Sequence, residues 1–72
     1  MRIAIVKAAF DDEAGVWYVE GSDVEGLHVE GATFEIFRRN VEDAVADLLE
    51  EEASSLGVPI EIIAHVSARA IA

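Results

Sequence analysis

A chain of 72 residues has room for one hydrophobic core and none for a second domain. Fifteen acidic against five basic residues leave a net charge of −10, which argues against a direct grip on nucleic acid, since phosphates are held by Lys and Arg. The absence of cysteine excludes a disulfide framework and a thiolate metal site. No apolar run approaches the roughly 18–20 residues of a bilayer span, and no basic segment followed by an apolar stretch opens the chain. The expectation is a soluble, cytoplasmic protein, one domain over residues 1–72, that attracts partners of positive charge.

In chain order, "RIAIVKAAF" (2–10) is apolar and β-branched at its start and reads as a strand. "DDEAG" (11–15) supplies hairpin residues, and "VWYVE" (16–20) the returning strand. "GSDVEG" (21–26) is a second loop with glycine at both ends, followed by a short alternating strand, "LHVE" (27–30). The period then changes. Thr33 is placed to cap a helix, with Glu35 in the first turn where the dipole favours an anion. Phe34, Phe37, Val41, Ala44, Val45, Leu48 and Leu49 recur at three- and four-residue spacing and form one apolar stripe. The helix should reach residues 52–54, with Glu50, Glu51 and Glu52 fraying its last turn and Gly57 and Pro59 ending it. "IEIIAHVSA" (60–68) reads as a last strand.

Strand, strand, strand, helix, strand is the order of a two-layer α+β domain. An antiparallel three-stranded meander is joined by a fourth strand, which the crossover helix returns parallel to the first. A single helix covers one side only. Ala4, Val6, Ala8 and Phe10, with Ile60, Ile62, Ala64 and Val66, should face it, and Trp17, Val19, Leu27 and Val29 complete that core. The other side carries Ile3, Ile5, Lys7, Ala9, Val16, Tyr18, Glu20, His28, Glu30, Glu61, Ile63 and His65. Four of these, Ile3, Ile5, Tyr18 and Ile63, are too apolar for a surface without a purpose and are the candidate partner or oligomer interface. Self-association as a homodimer or tetramer is expected through this face or an edge beside it.

"FDDEAGVWYVEGSDVEGLHVEGATFEIFRRNVEDAV" resembles the HicB antitoxin family and its small HicB-like relatives. The matching pieces are the acidic turn at 11–15, Trp17, Asp23 and Gly26, Gly31 and Thr33, Asn40, and Asp43-Ala44-Val45. Ser22 and Glu25 stand where the family's loop prolines would be, and Ile36-Phe37 replace its usual Glu-Ala. Typical HicB proteins continue into a DNA-binding domain; none follows here, so operator binding is not expected of this chain. The resemblance implies a partial RNase H-like fold used as a binding module. It also implies a partner, a small basic RNA-cleaving toxin of the HicA type, that the module neutralises. An orphan self-associating domain is the alternative.

An RNase H-like fold invites a test for two-metal hydrolysis, which needs carboxylates converging from strand interiors. Residues 2–10 contain Lys7 and no acid, and the last strand offers Glu61 alone. Asp11, Asp12 and Glu13 sit in a turn, where solvation keeps a carboxyl from acting as a general acid. His28 and His65, with Glu30 or Glu61, could hold a metal only if their strands were neighbours, which the topology does not make them. The glycines of "GVWYVEGSDVEG" lead into no helix N-terminus that would cradle a phosphate. A domain without catalytic residues, metal or cofactor is the expectation.

Overall fold

The computed structural model describes residues 3–49 and 57–71. Strands β1 (Ala4–Asp11), β2 (Val16–Ser22) and β3 (Glu30–Gly31) precede helix α1 (Phe34–Leu48), and strand β4 (Ile60–His65) follows it. The sheet runs β3-β2-β1-β4, antiparallel except for the parallel β1–β4 pair. The two-layer α+β architecture expected from the order of elements is the one the chain adopts.

Local chemistry explains each joint. In the first hairpin the Asp11 carboxylate accepts the N–H groups of Glu13 and Ala14 at 3.0 and 3.1 Å, while its carbonyl accepts that of Gly15 at 2.7 Å. Gly15 closes the turn at φ 70°, a left-handed conformation that side chains resist. At the helix start, the Thr33 hydroxyl accepts the Ile36 N–H at 3.1 Å, satisfying a donor the first turn leaves open. The last turn closes on Leu49, whose N–H reaches the Val45 carbonyl at 2.9 Å. The expected extension to residues 52–54, and the fraying of Glu50, Glu51 and Glu52, lie outside the described residues.

The core forms where the helix stripe meets the centre of the sheet. Ala4, Val6, Ala8, Phe37 and Val41 are wholly buried, with Val45, Val24, Leu27 and Leu49 almost so. Small alanines in β1 let the helix sit close enough for Phe37 to lose all contact with water, about 2–3 kcal/mol of hydrophobic stabilisation. A relay of edge-on rings (Phe10 to Trp17 at 5.5 Å, Trp17 to Phe34 at 5.2 Å) closes one end of this layer.

Several expectations need correction. The third strand pairs over Glu30 and Gly31 alone, because Val24 and Leu27 turn into the core and the Leu27 N–H bonds the Val24 carbonyl instead of a ladder partner. Val24, read as loop, is a core residue at 2% exposure. The second strand extends through Gly21 and Ser22, with a bulge: Lys7 faces Gly21 and Ala8 faces Val19, leaving Glu20 without an opposite number. Phe10 lies at the sheet's end and stays 38% exposed, and Leu48 falls just off the stripe. The last strand stops at His65 instead of continuing to residue 68, and Val66, expected in the core, is 60% exposed.

Candidate functional site: the open face of the sheet

The observed registers settle which side chains share the uncovered face. Ile5 lies beside Glu61, Lys7 between Gly21 and Ile63, and Ala9 between Tyr18 and His65; Tyr18 in turn faces Glu30. This is the assignment made from alternation, and no register slip exchanges the two faces. Of the four candidate interface residues, Ile3 and Ile63 are each 52% exposed and Ile5 39%. Tyr18 is half-buried, so the accessible apolar surface is built from the isoleucines. Ala9 is nearly buried on this otherwise open side, as a small residue flanked by the larger side chains of Tyr18 and His65.

The bulge shapes the face as well as the strand. Where Gly21 lacks a side chain, a recess of about 320 Å³ opens, lined by Ile5, Lys7, Gly21, Ser22 and Asp23. Asp23 builds its wall: its carboxylate accepts the Ile5 N–H at 2.9 Å, and its own N–H reaches the Ile5 carbonyl at 3.2 Å. Ser22 holds the next residue by accepting the Val24 N–H on its hydroxyl at 2.9 Å. Sequence reasoning treats Asp23 and Gly21 as loop residues and misses this role. A short polar side chain beside a glycine at the end of an aromatic strand is the available signal.

Among the described residues the carboxylates are dispersed. Asp11 and Asp23 serve the main chain, and Glu35 and Glu42 both bond Arg38 on the solvent side of α1, the latter at 2.6 Å. The hydrogen bond from Arg38 holds the Glu35 carboxyl below its ordinary pKa, against the opposing effect of desolvation and with help from the Arg38 and Arg39 charges. His65 Nδ1 lies 3.8 Å from a Glu20 oxygen, and both side chains are well exposed. His28 precedes β3 and His65 ends β4, at opposite edges of the sheet, so they do not meet. Among the described residues no group of three or more His, Asp or Glu side chains is arranged to hold a metal ion. Nor is any described helix long and apolar enough to cross a membrane.

Several positions that carry the HicB-like resemblance have structural work here. The Asn40 amide donates to the Glu30 carbonyl at 2.8 Å and pins β3 to the helix. A Cβ on Gly31 would stand 2.4 Å from the Phe37 nitrogen, so only glycine fits where β3 crosses the helix. With Asp11, Gly15 and Thr33, these residues specify a turn, a crossing and a cap.

Three comparisons bear on this geometry. The crystal structure of hypothetical protein TTHA1013, from the extremely thermophilic bacterium Thermus thermophilus, is similar at a TM-score of 0.68 and 37% identity, over 97% of this chain and 99% of that one. A nicotinate-nucleotide--dimethylbenzimidazole phosphoribosyltransferase of Cereibacter sphaeroides is 36% identical over 69 residues, 96% of this chain. The present chain spans only 18% of that enzyme's length. The model of a family described as a domain of unknown function, DUF1902, matches residues 3–72, and the chain belongs to that family.

Proposed function

We propose that this domain is a non-catalytic protein-binding module of the HicB-like antitoxin kind, whose open sheet face engages and neutralises a small basic RNA-cleaving toxin of the HicA type. The observation that carries the reading is the face itself: Ile3, Ile5 and Ile63 stand 39–52% exposed on one side of a domain whose net charge is −10. Apolar anchors within an acidic field suit a basic protein, steered by charge and held by desolvation. The employment of Asp11 and Asp23 in main-chain hydrogen bonds supports binding over catalysis. The similarity to one segment of a much longer enzyme agrees with a self-contained unit that larger proteins can carry. A toxin of this type places the domain in the cytoplasm.

The test is co-expression with any basic reading frame of fewer than about 100 residues encoded beside this one, a size at which a toxin is still a single small domain. A complex should co-elute, restore growth, and weaken steeply as salt rises past the point where the Debye length falls to about 8 Å. Ile5→Asp should weaken it at least tenfold. The absence of a complex at low salt, or a complex indifferent to Ile5→Asp, removes the proposal.

A further inference from the structure

The sheet has two edges, and they are very different. At one, β3 contributes two residues; the Glu30 carbonyl is held by Asn40 and Gly31 lies against the helix backbone. At the other, β4 runs for six residues with β1 as its only neighbour among the described strands. The Pro59 carbonyl accepts the Ala4 N–H at 2.9 Å, so by alternation residues 61, 63 and 65 turn their main-chain groups to β1. Ile60, Ile62 and Ala64 therefore turn theirs outward. Neither proline nor lysine interrupts residues 60–66, β4 is regular in its pairing, and among the described strands none covers its outer edge.

We propose that two copies of this chain join edge to edge through β4, antiparallel, with Ile63 on the two-fold axis. Outward-facing groups restrict the pairing to a few registers, and side-chain chemistry selects among them. With Ile63 opposite Ile63, Ile62 meets Ala64, Ile60 meets Val66, and on the open face Glu61 meets His65, twice by symmetry. An axis at Glu61 sets two carboxylates against each other. Axes at Ile62 or Ala64 set Glu61 against Ile63 or Ser67. An axis at His65 brings Glu61 to Arg69 but opposes the two histidines and sets Ile63 against Ser67.

The chosen register covers two of the exposed apolar residues of the isolated domain. Ile63 and Val66 are 52% and 60% exposed. Val66 would arrive beside the partner's Ile60, which with Val45 and Val58 lines a groove of about 330 Å³ between α1 and β4. The result is one eight-stranded sheet with both helices on the same side and both open faces continuous on the other. This arrangement leaves Ile3 and Ile5 free, and it stands whether or not a toxin binds there.

A strand-to-strand contact alone falls short of the about 800 Å² per partner that a standard interface buries, so the dimer should dissociate on dilution. It should strengthen with salt, because the two copies repel through −10 charges each. The chain has no cysteine, so Ile63→Cys gives a single thiol at a non-hydrogen-bonded pair, within disulfide reach of its symmetry mate. On mild oxidation that variant should form a covalent dimer, and His65→Cys should not. Ala64→Pro removes a donor that faces away from β1; it should abolish the link and leave a folded monomer by circular dichroism. In sedimentation, Glu61→Lys should weaken dimerisation about tenfold, and Glu61→Lys with His65→Glu should restore it. Failure of Ile63→Cys to link, linking that survives Ala64→Pro, or indifference to Glu61→Lys would overturn the proposal.

Discussion

Strands β1 and β4 lie side by side in parallel register with similar apolar residues turned to the helix, yet their fates differ. Ala4, Val6 and Ala8 are wholly buried, whereas Ile60 and Ile62 are half-buried, Ala64 is exposed and Val66 stands 60% in solvent. The same residue type, valine, on the same side of the sheet is core at position 6 and surface at position 66. Hydrophobic residues do not bury themselves; a neighbouring layer has to reach them. One helix reaches across the centre of the sheet and runs short at the β4 edge.

The comparison can be broken from either side, and the largest effect should come from the helix. Phe37→Ala empties the centre of the shared layer and should cost about 4 kcal/mol, most of what a domain this small has, so the variant should be largely unfolded at 25 °C by chemical denaturation. A cooperative transition near that of the parent would mean that β1 is not protected by α1. Next comes Gly31→Ala, which drives a methyl into the helix backbone and should cost about 3 kcal/mol in the same measurement. Preserved stability would show that β3 can move away from the helix.

The paired valines give the sharpest version. Val6→Ala should cost about 2 kcal/mol, and Val66→Ala less than about 0.5 kcal/mol, in dilute monomer. At concentrations where copies associate, Val66→Ala should instead lower the association constant. Equal costs in the monomer would contradict the difference in burial.

The smallest effect lies on the solvent side of α1. Arg38→Gln should raise the Glu35 pKa toward its ordinary value, visible in an NMR titration of the carboxyl carbon. A depressed carboxyl stabilises the folded state above its unfolded pKa, and that gain disappears as pH falls through the folded value. The variant should therefore melt slightly below the parent at neutral pH, with this contribution vanishing in acid. A difference that grew in acid would have the wrong sign.

Element order, the helix stripe, the Thr33 cap and the alternation of β1 were legible because each rests on local periodicity or a local hydrogen bond. The identity of the open face was legible for the same reason, since Ile3, Ile5 and Ile63 follow the pleat. What escaped depended on partners distant in sequence. Val24 is buried because Asp23 ties its loop to Ile5, an attachment no window around residue 24 contains. Residues 27–30 carried strand-like alternation, but Leu27 was drawn into the core and pairing began only at Glu30. Val66 continued the pattern of β4 while the pairing stopped at His65. On the open face, the exposed isoleucines were visible in advance from the pleat; the recess beside Gly21 was not, because it arises from a bulge in register.

The position of Trp17 has a practical consequence. The chain's single tryptophan sits on the helix side among Phe10 and Phe34, while its single lysine, Lys7, is exposed on the opposite side. Intrinsic fluorescence should therefore report unfolding and stay nearly silent when a ligand docks on the far surface. A dye coupled to the Lys7 amine would do the reverse, so one sample can carry two optical channels separated by the thickness of a β-layer.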